Sequence, residues 1–169
     1  MAITLRSLQG AAGRTSRTVV AKSLNDALSK NKQTAFLCHS HKDQTLLAED
    51  GWDGYIDWQD EEMPATPNKQ TATNIKSKIK LVDWFLFLAT PNSTVSRWCP
   101  WEIGYADAAK ANEKILIVPT TDDSGRWYGN EYLQLYRKID EASNATTKRS
   151  GYAVFNPGST SGGVWVSGL

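Results

Sequence analysis

Five short apolar runs, each closed by polar or turn-forming residues, constrain this chain more than any other feature. Trp84-Phe-Leu-Phe-Leu-Ala-Thr90 is almost wholly apolar, and Thr34-Ala-Phe-Leu-Cys-His-Ser40 and Ile115-Leu-Ile-Val-Pro-Thr120 are nearly so. Tyr55-Ile-Asp-Trp58 and Tyr152-Ala-Val-Phe155 are shorter versions. Unalternated runs of this length suit strands buried on both faces, as in a parallel sheet covered by helices. Helical patterns lie between them. Ile75 and Ile79 sit four apart among lysines, predicting a helix over 71–80 with Thr71 or Thr73 as its cap. Residues 93–112 read as a helix capped by Ser96 with Pro100 in its first turn, and 132–139 as a short amphipathic helix. Val19, Val20, Leu24 and Leu28 give a leading helix before Asn31.

Strands alternating with helices through short connections imply one α/β domain: five parallel strands flanked by helices, with ligands taken up beyond the strands' carboxyl ends. Residues 1–33 form an N-terminal helical extension and 34–169 the domain in this reading. At 169 residues there is no room for a second full domain. Nineteen basic residues against eighteen acidic ones leave a net charge of +1, so no nucleic-acid footprint is expected. The first residues lack a signal-peptide pattern and no run reaches membrane-span length, so neither export nor a membrane partner is expected. With only Cys38 and Cys99, the chain suits a reducing, cytoplasmic setting better than a disulfide scaffold. The sequons at Asn92 and Asn144 are assigned no role.

Three constellations could carry chemistry. In Ser93-Thr-Val-Ser-Arg-Trp-Cys-Pro-Trp-Glu-Ile-Gly-Tyr105, helical spacing places Trp98 and Glu102 on one face, with Trp101 and Tyr105 on the adjacent stripe. A carboxyl group beside an indole loses hydration, and an aromatic wall can stack on a base or a sugar, which suits sugar-transfer chemistry. Spacing alone still favours a first-turn carboxylate serving the helix dipole, with the tryptophans in the core. His39-Ser-His-Lys-Asp43 closes the first strand and offers groups for a ribose or phosphate. Its two histidines alternate along the strand end and no third ligand completes a set, so no metal is expected. Asp57, Asp60, Glu61 and Glu62 follow the second strand and fit either a magnesium site or a solvated acidic loop. Neither glycine-rich phosphate cradle occurs.

Taken together, Phe36-Leu-Cys-His-Ser-His-Lys-Asp43, Tyr55-Ile-Asp57 with its proline-bearing loop, Asp83-Trp-Phe-Leu-Phe-Leu88 and Ser96-Arg-Trp-Cys-Pro-Trp-Glu102 resemble bacterial Toll/interleukin-1 receptor (TIR) domains over about residues 34–158. The likeness is strongest to the stand-alone TIR proteins of Thoeris-type anti-phage systems. It implies a flavodoxin-like three-layer fold, NAD+ as substrate with no further cofactor, and Glu102 as the catalytic carboxylate. It also implies a pocket lined by His39, Ser40, Lys42, Asp57, Trp98 and Tyr105, gated by the loop 59–68. The expected product is an ADP-ribose-derived, cyclic signal read by a downstream effector protein, with self-association on activation. A non-enzymatic TIR scaffold and a nucleoside deoxyribosyltransferase-like enzyme are the alternatives. One departure stands out. Only Gln44-Thr-Leu-Leu-Ala-Glu-Asp50 separates Asp43 from Gly51, whereas a crossover between parallel strands needs about a dozen residues. Either residues are missing between Gln44 and Leu47 or the domain is degenerate there.

Overall fold

The computed structural model describes residues 3–4, 33–43 and 68–169. The leading helix, the second strand with Asp57, the 44–50 segment and most of the gating loop lie outside the described residues.

Strands β1 (Ile3–Thr4), β2 (Ala35–Cys38), β3 (Trp84–Ala89), β4 (Ile115–Thr121), β5 (Trp127–Tyr128), β6 (Arg137–Asn144), β7 (Arg149–Phe155) and β8 (Val164–Trp165) join in one sheet. Its main path runs β2-β3-β4-β6-β7-β8, with β1 and β5 both paired to β4 near Thr120 and Thr121. The neighbours β2, β3, β4 and β6 are parallel, while β7 returns antiparallel on β6 and β8 on β7. The fold class is the expected α/β, but the sheet is mixed rather than five parallel strands.

Alternation along the central strands sorts the core into two faces. Phe36, Cys38, Phe85, Phe87, Ala89, Ile115 and Ile117 project to the face covered by helices α1 (Lys69–Leu81) and α3 (Cys99–Ala109), which contribute Ile75, Ile79, Ile103 and Ala106. Leu37, Leu86, Leu88, Leu116 and Val118 form the other face with Ile139 and Val154, against which Val166 and Leu169 of the tail pack. The near-continuous apolar runs follow from this: each neighbour in sequence is buried, only on opposite sides.

Helix α1 is capped by Asn68, not by Thr71 or Thr73. The Asn68 side chain accepts from the amides of Gln70 and Thr71, and the Thr71 hydroxyl accepts the Asn68 amide in return. The helix expected over 93–112 divides into a single turn, α2 (Pro91–Thr94), and α3. Ser96 accepts the amides of Trp98 and Cys99, so it serves the start of α3 from two residues before the cap position. The helix expected over 132–139 is absent. A 3₁₀ turn at Glu131–Leu135 leads directly into β6, which burial of Leu133 and Tyr136 beside α3 and an antiparallel ladder with β7 favour over helical continuation.

A polar clamp joins the starts of β2 and β3. The backbone amide and hydroxyl of Thr34 both donate to the Asp83 carboxylate at 2.8 and 2.9 Å, and the Asp83 amide donates to the Thr34 hydroxyl at 3.1 Å. These bonds, led by the Thr34 amide, hold the Asp83 carboxyl below its ordinary value of 3.8. A folded-state value below the unfolded one adds stability above 3.8, and that stability fades as pH falls through the folded-state value. Asp83 is exposed, so solvent screening keeps the gain small. Asp83→Asn is therefore expected to be slightly less stable than wild type at neutral pH in urea titrations, with the gap closing in acid. A gap that widens in acid would contradict this.

Candidate functional site

The carboxyl end of β2, the turn that follows it and the first turn of α3 meet at one place. Cys38 ends β2, paired in register with Phe87, and His39 and Ser40 lead into a 3₁₀ turn at His41–Asp43. The His39 Nδ1 lies 3.0 Å from the Leu37 carbonyl oxygen, which can only accept, so Nδ1 carries the proton. Ser40 is half-buried and Lys42 exposed.

Asp43 anchors this turn. It is 2% exposed; the Thr90 hydroxyl donates to one carboxylate oxygen at 2.5 Å and the Asn92 amide to the other at 2.6 Å. Thr90 is also the cap of α2, its hydroxyl accepting the Ser93 amide while the Ser93 hydroxyl accepts the Thr90 amide. The triplet at Asn92 is thus structural, and Asp43, not foreseen as a site residue, ties the post-β2 loop to the end of β3. Its place at the close of the His-Ser-His-Lys-Asp run was the available signal. Asp43→Ala strands one buried donor, Thr90, and one half-buried donor, Asn92, and is expected to cost about 3 kcal/mol or more, since bonds to a charged group are each worth roughly 1.5–3 kcal/mol. A urea midpoint within error of wild type would count against the anchor.

Glu102 lies in the first turn of α3, its amide bonded to the Trp98 carbonyl at 2.8 Å, and is 4% exposed. A carboxylate serving only the helix dipole has no need of burial. Here a carboxylate oxygen of Glu102 and the sulfurs of Cys38 and Cys99 all lie within 4.8 Å of one another. The two thiols are not joined in a disulfide. Burial first, then the bond toward Cys99 and the nearby Glu102 charge, push the Cys38 thiol up. Cys38 stays protonated at neutral pH as a result.

Trp98 is half-buried at the cap position of α3 and packs against the core one turn before Glu102. Its ring meets Trp101 edge to face at 5.5 Å, and Trp101 stacks on Tyr105 at 6.2 Å. The Lys76 ammonium of α1 sits 4.8 Å from the Tyr105 centroid. The structure therefore gathers Glu102, Trp98 and the β2 end, while Tyr105 faces α1 through Lys76. A separate cavity of about 370 Å³ lies further along the sheet between Ile117, Trp127, Tyr136, Lys138 and Ser159, and contains none of the predicted site residues.

A buried carboxyl group one helical turn from Trp98, beside the end of a parallel strand, is an arrangement compatible with ribosyl chemistry. No family model matches the chain. It is 32% identical over 117 residues to the "Probable 3' cyclic ADP-D-ribose synthase ThsB'" of Bacillus cereus (strain MSX-D12), an alignment covering 63% of this chain and 61% of that protein. The similarity is to a protein whose name describes cyclic ADP-ribose synthesis. The chain spans about three fifths of this relative's length. Among the described residues, no helix is long and apolar enough to cross a membrane.

Proposed function

We propose that the protein is an NAD+-cleaving TIR enzyme that releases nicotinamide and forms an ADP-ribose-derived cyclic product in anti-phage defence. The burial of Glu102 at the carboxyl end of β2, one turn from Trp98, carries this reading. As nicotinamide departs, the ribose takes on oxocarbenium character, and a carboxylate in a poorly hydrated pocket stabilises that charge more in the transition state than in bound NAD+. Glu102 then steers the next nucleophile to the anomeric carbon. Attack by a hydroxyl of the same molecule closes a cycle, whereas water gives linear ADP-ribose. Trp98 supplies an apolar wall, and His39, Ser40 and Lys42 offer polar contacts to ribose and phosphate. The cyclic product would act on a downstream effector protein, and activation would proceed through self-association. A relative named as a cyclic ADP-ribose synthase supports the product class.

The test is incubation of the pure protein with NAD+ and identification of products by mass. Cyclic and linear products differ by one water. Base exchange between nucleosides with NAD+ left intact would replace this reading with the deoxyribosyltransferase one.

A further inference from the structure

The sulfurs of Cys38 and Cys99 and a carboxylate oxygen of Glu102 come from two rigid elements, β2 and the first turn of α3. Cys99 and Glu102 are three apart and so share a helix face, and that face meets the β2 end. The Cys38 thiol also approaches the Cys99 carbonyl oxygen at 3.9 Å, which fixes how closely strand and helix come together. Cys38 and Cys99 are 1% and 0% exposed. Two thiols and one carboxyl group converging out of water form the donor set of a zinc-type site with three protein ligands and one open position.

We propose that Cys38, Cys99 and Glu102 bind a soft divalent cation of the zinc class, and that the bound ion shuts the enzyme off by occupying Glu102. The shut-off rests on the proposed catalytic role of Glu102; the binding does not. Tetrahedral zinc with sulfur at about 2.3 Å sets its sulfurs about 3.8 Å apart. The three donor atoms already lie within 4.8 Å of one another, so closing on an ion takes side-chain rotation rather than movement of the sheet. Thiolate sulfur selects zinc, cadmium or cobalt over magnesium and calcium. Both thiols lose their protons to solvent on binding, and the two thiolates and the carboxylate then face a 2+ ion with one position left for water. The electron pairs that Glu102 would direct at the ribose are held by the metal.

The experiment titrates Co²⁺ into the full, phosphine-reduced chain without NAD+. A sulfur-to-cobalt charge-transfer band is expected to saturate at one ion per chain and to be displaced by Zn²⁺. Cys38→Ser and Cys99→Ser are each expected to weaken binding by more than about tenfold, the lower end of the cost of disturbing even an outer-shell partner. Glu102→Gln is expected to weaken it likewise while keeping the band, which leaves a readout that survives if a cysteine variant misfolds. Absence of the band in folded wild-type protein, or undiminished binding by Glu102→Gln, would overturn the site. Zn²⁺ is expected to suppress NAD+ turnover over the range in which cobalt saturates; full turnover with the metal bound would overturn the shut-off alone. A protein that shows the band but leaves NAD+ untouched would contradict the enzymatic reading and leave the metal site supported.

Discussion

Glu102→Gln is expected to lower NAD+ turnover by about 10²–10⁴-fold, the range spanned by a positioned acid or base group. The substitution keeps nearly the shape of the side chain and removes its charge. Glu102 is 4% exposed and shares its surroundings with two thiols, so the amide occupies the same space and the fold is retained. What is lost is the negative charge that would face the developing oxocarbenium ion, which an amide replaces only weakly. The loss should fall on kcat, because the interaction strengthens as the bond breaks rather than when NAD+ binds. Nicotinamide release measured alongside thermal unfolding checks this. A folded variant turning over at the wild-type rate would remove Glu102 from the chemistry.

Phe85→Ala is expected to destabilise the chain by about 3–5 kcal/mol, the usual cost of truncating a buried phenylalanine. Phe85 is 0% exposed and its ring lies 5.6 Å from that of Phe36, only 6° from parallel. It pairs in register with Phe36 on one side and Ile115 on the other, so the cavity would open in the middle of the sheet, where neighbours held by ladder bonds cannot close in. Of the usual 5–15 kcal/mol that holds a domain folded, this is a large share. Urea denaturation measures it, and a loss below about 1 kcal/mol would mean that the Phe36–Phe85 stack contributes little to the fold.

The parts of the fold legible in the sequence were those whose pattern is set by local burial. β2, β3 and β4 announce themselves because nearly every residue of a doubly covered strand is apolar, and α1 because Ile75 and Ile79 recur at helical spacing. The cap of α1 was misplaced onto threonines because Asn68 follows Pro67 and read as the end of a loop. β6 was illegible for a different reason. Leu133, Tyr136 and Ile139 lie three apart and imitate a helix face, yet Leu133 and Tyr136 bury on the helix-covered face and Ile139 on the other. The turn that makes β6 and β7 a hairpin was not read from the sequence; in the structure Asn144 accepts the amides of Thr146 and Thr147, and Lys148 takes a φ of 56°.

The candidate site divides the same way. Trp98 and Glu102 share an element, so spacing could place them together, and the family resemblance could weigh a catalytic role against a helix cap. The approach of Cys38 to Cys99 and Glu102 could not be foreseen, because strand and helix are brought together by packing across 61 residues of sequence. Asp43 was read as one of a polar run; its grip on Thr90 and Asn92 depends on β3 ending beside the turn.

The most direct test of the central claim is a crystal structure of Glu102→Gln soaked with NAD+. The account predicts the nicotinamide ribose in the pocket at the end of β2, its hydroxyls about 2.6–3.2 Å from the side chain at position 102, with Trp98 forming the apolar wall. NAD+ seated elsewhere, in the cavity beside Trp127 and Tyr136 for example, would contradict it.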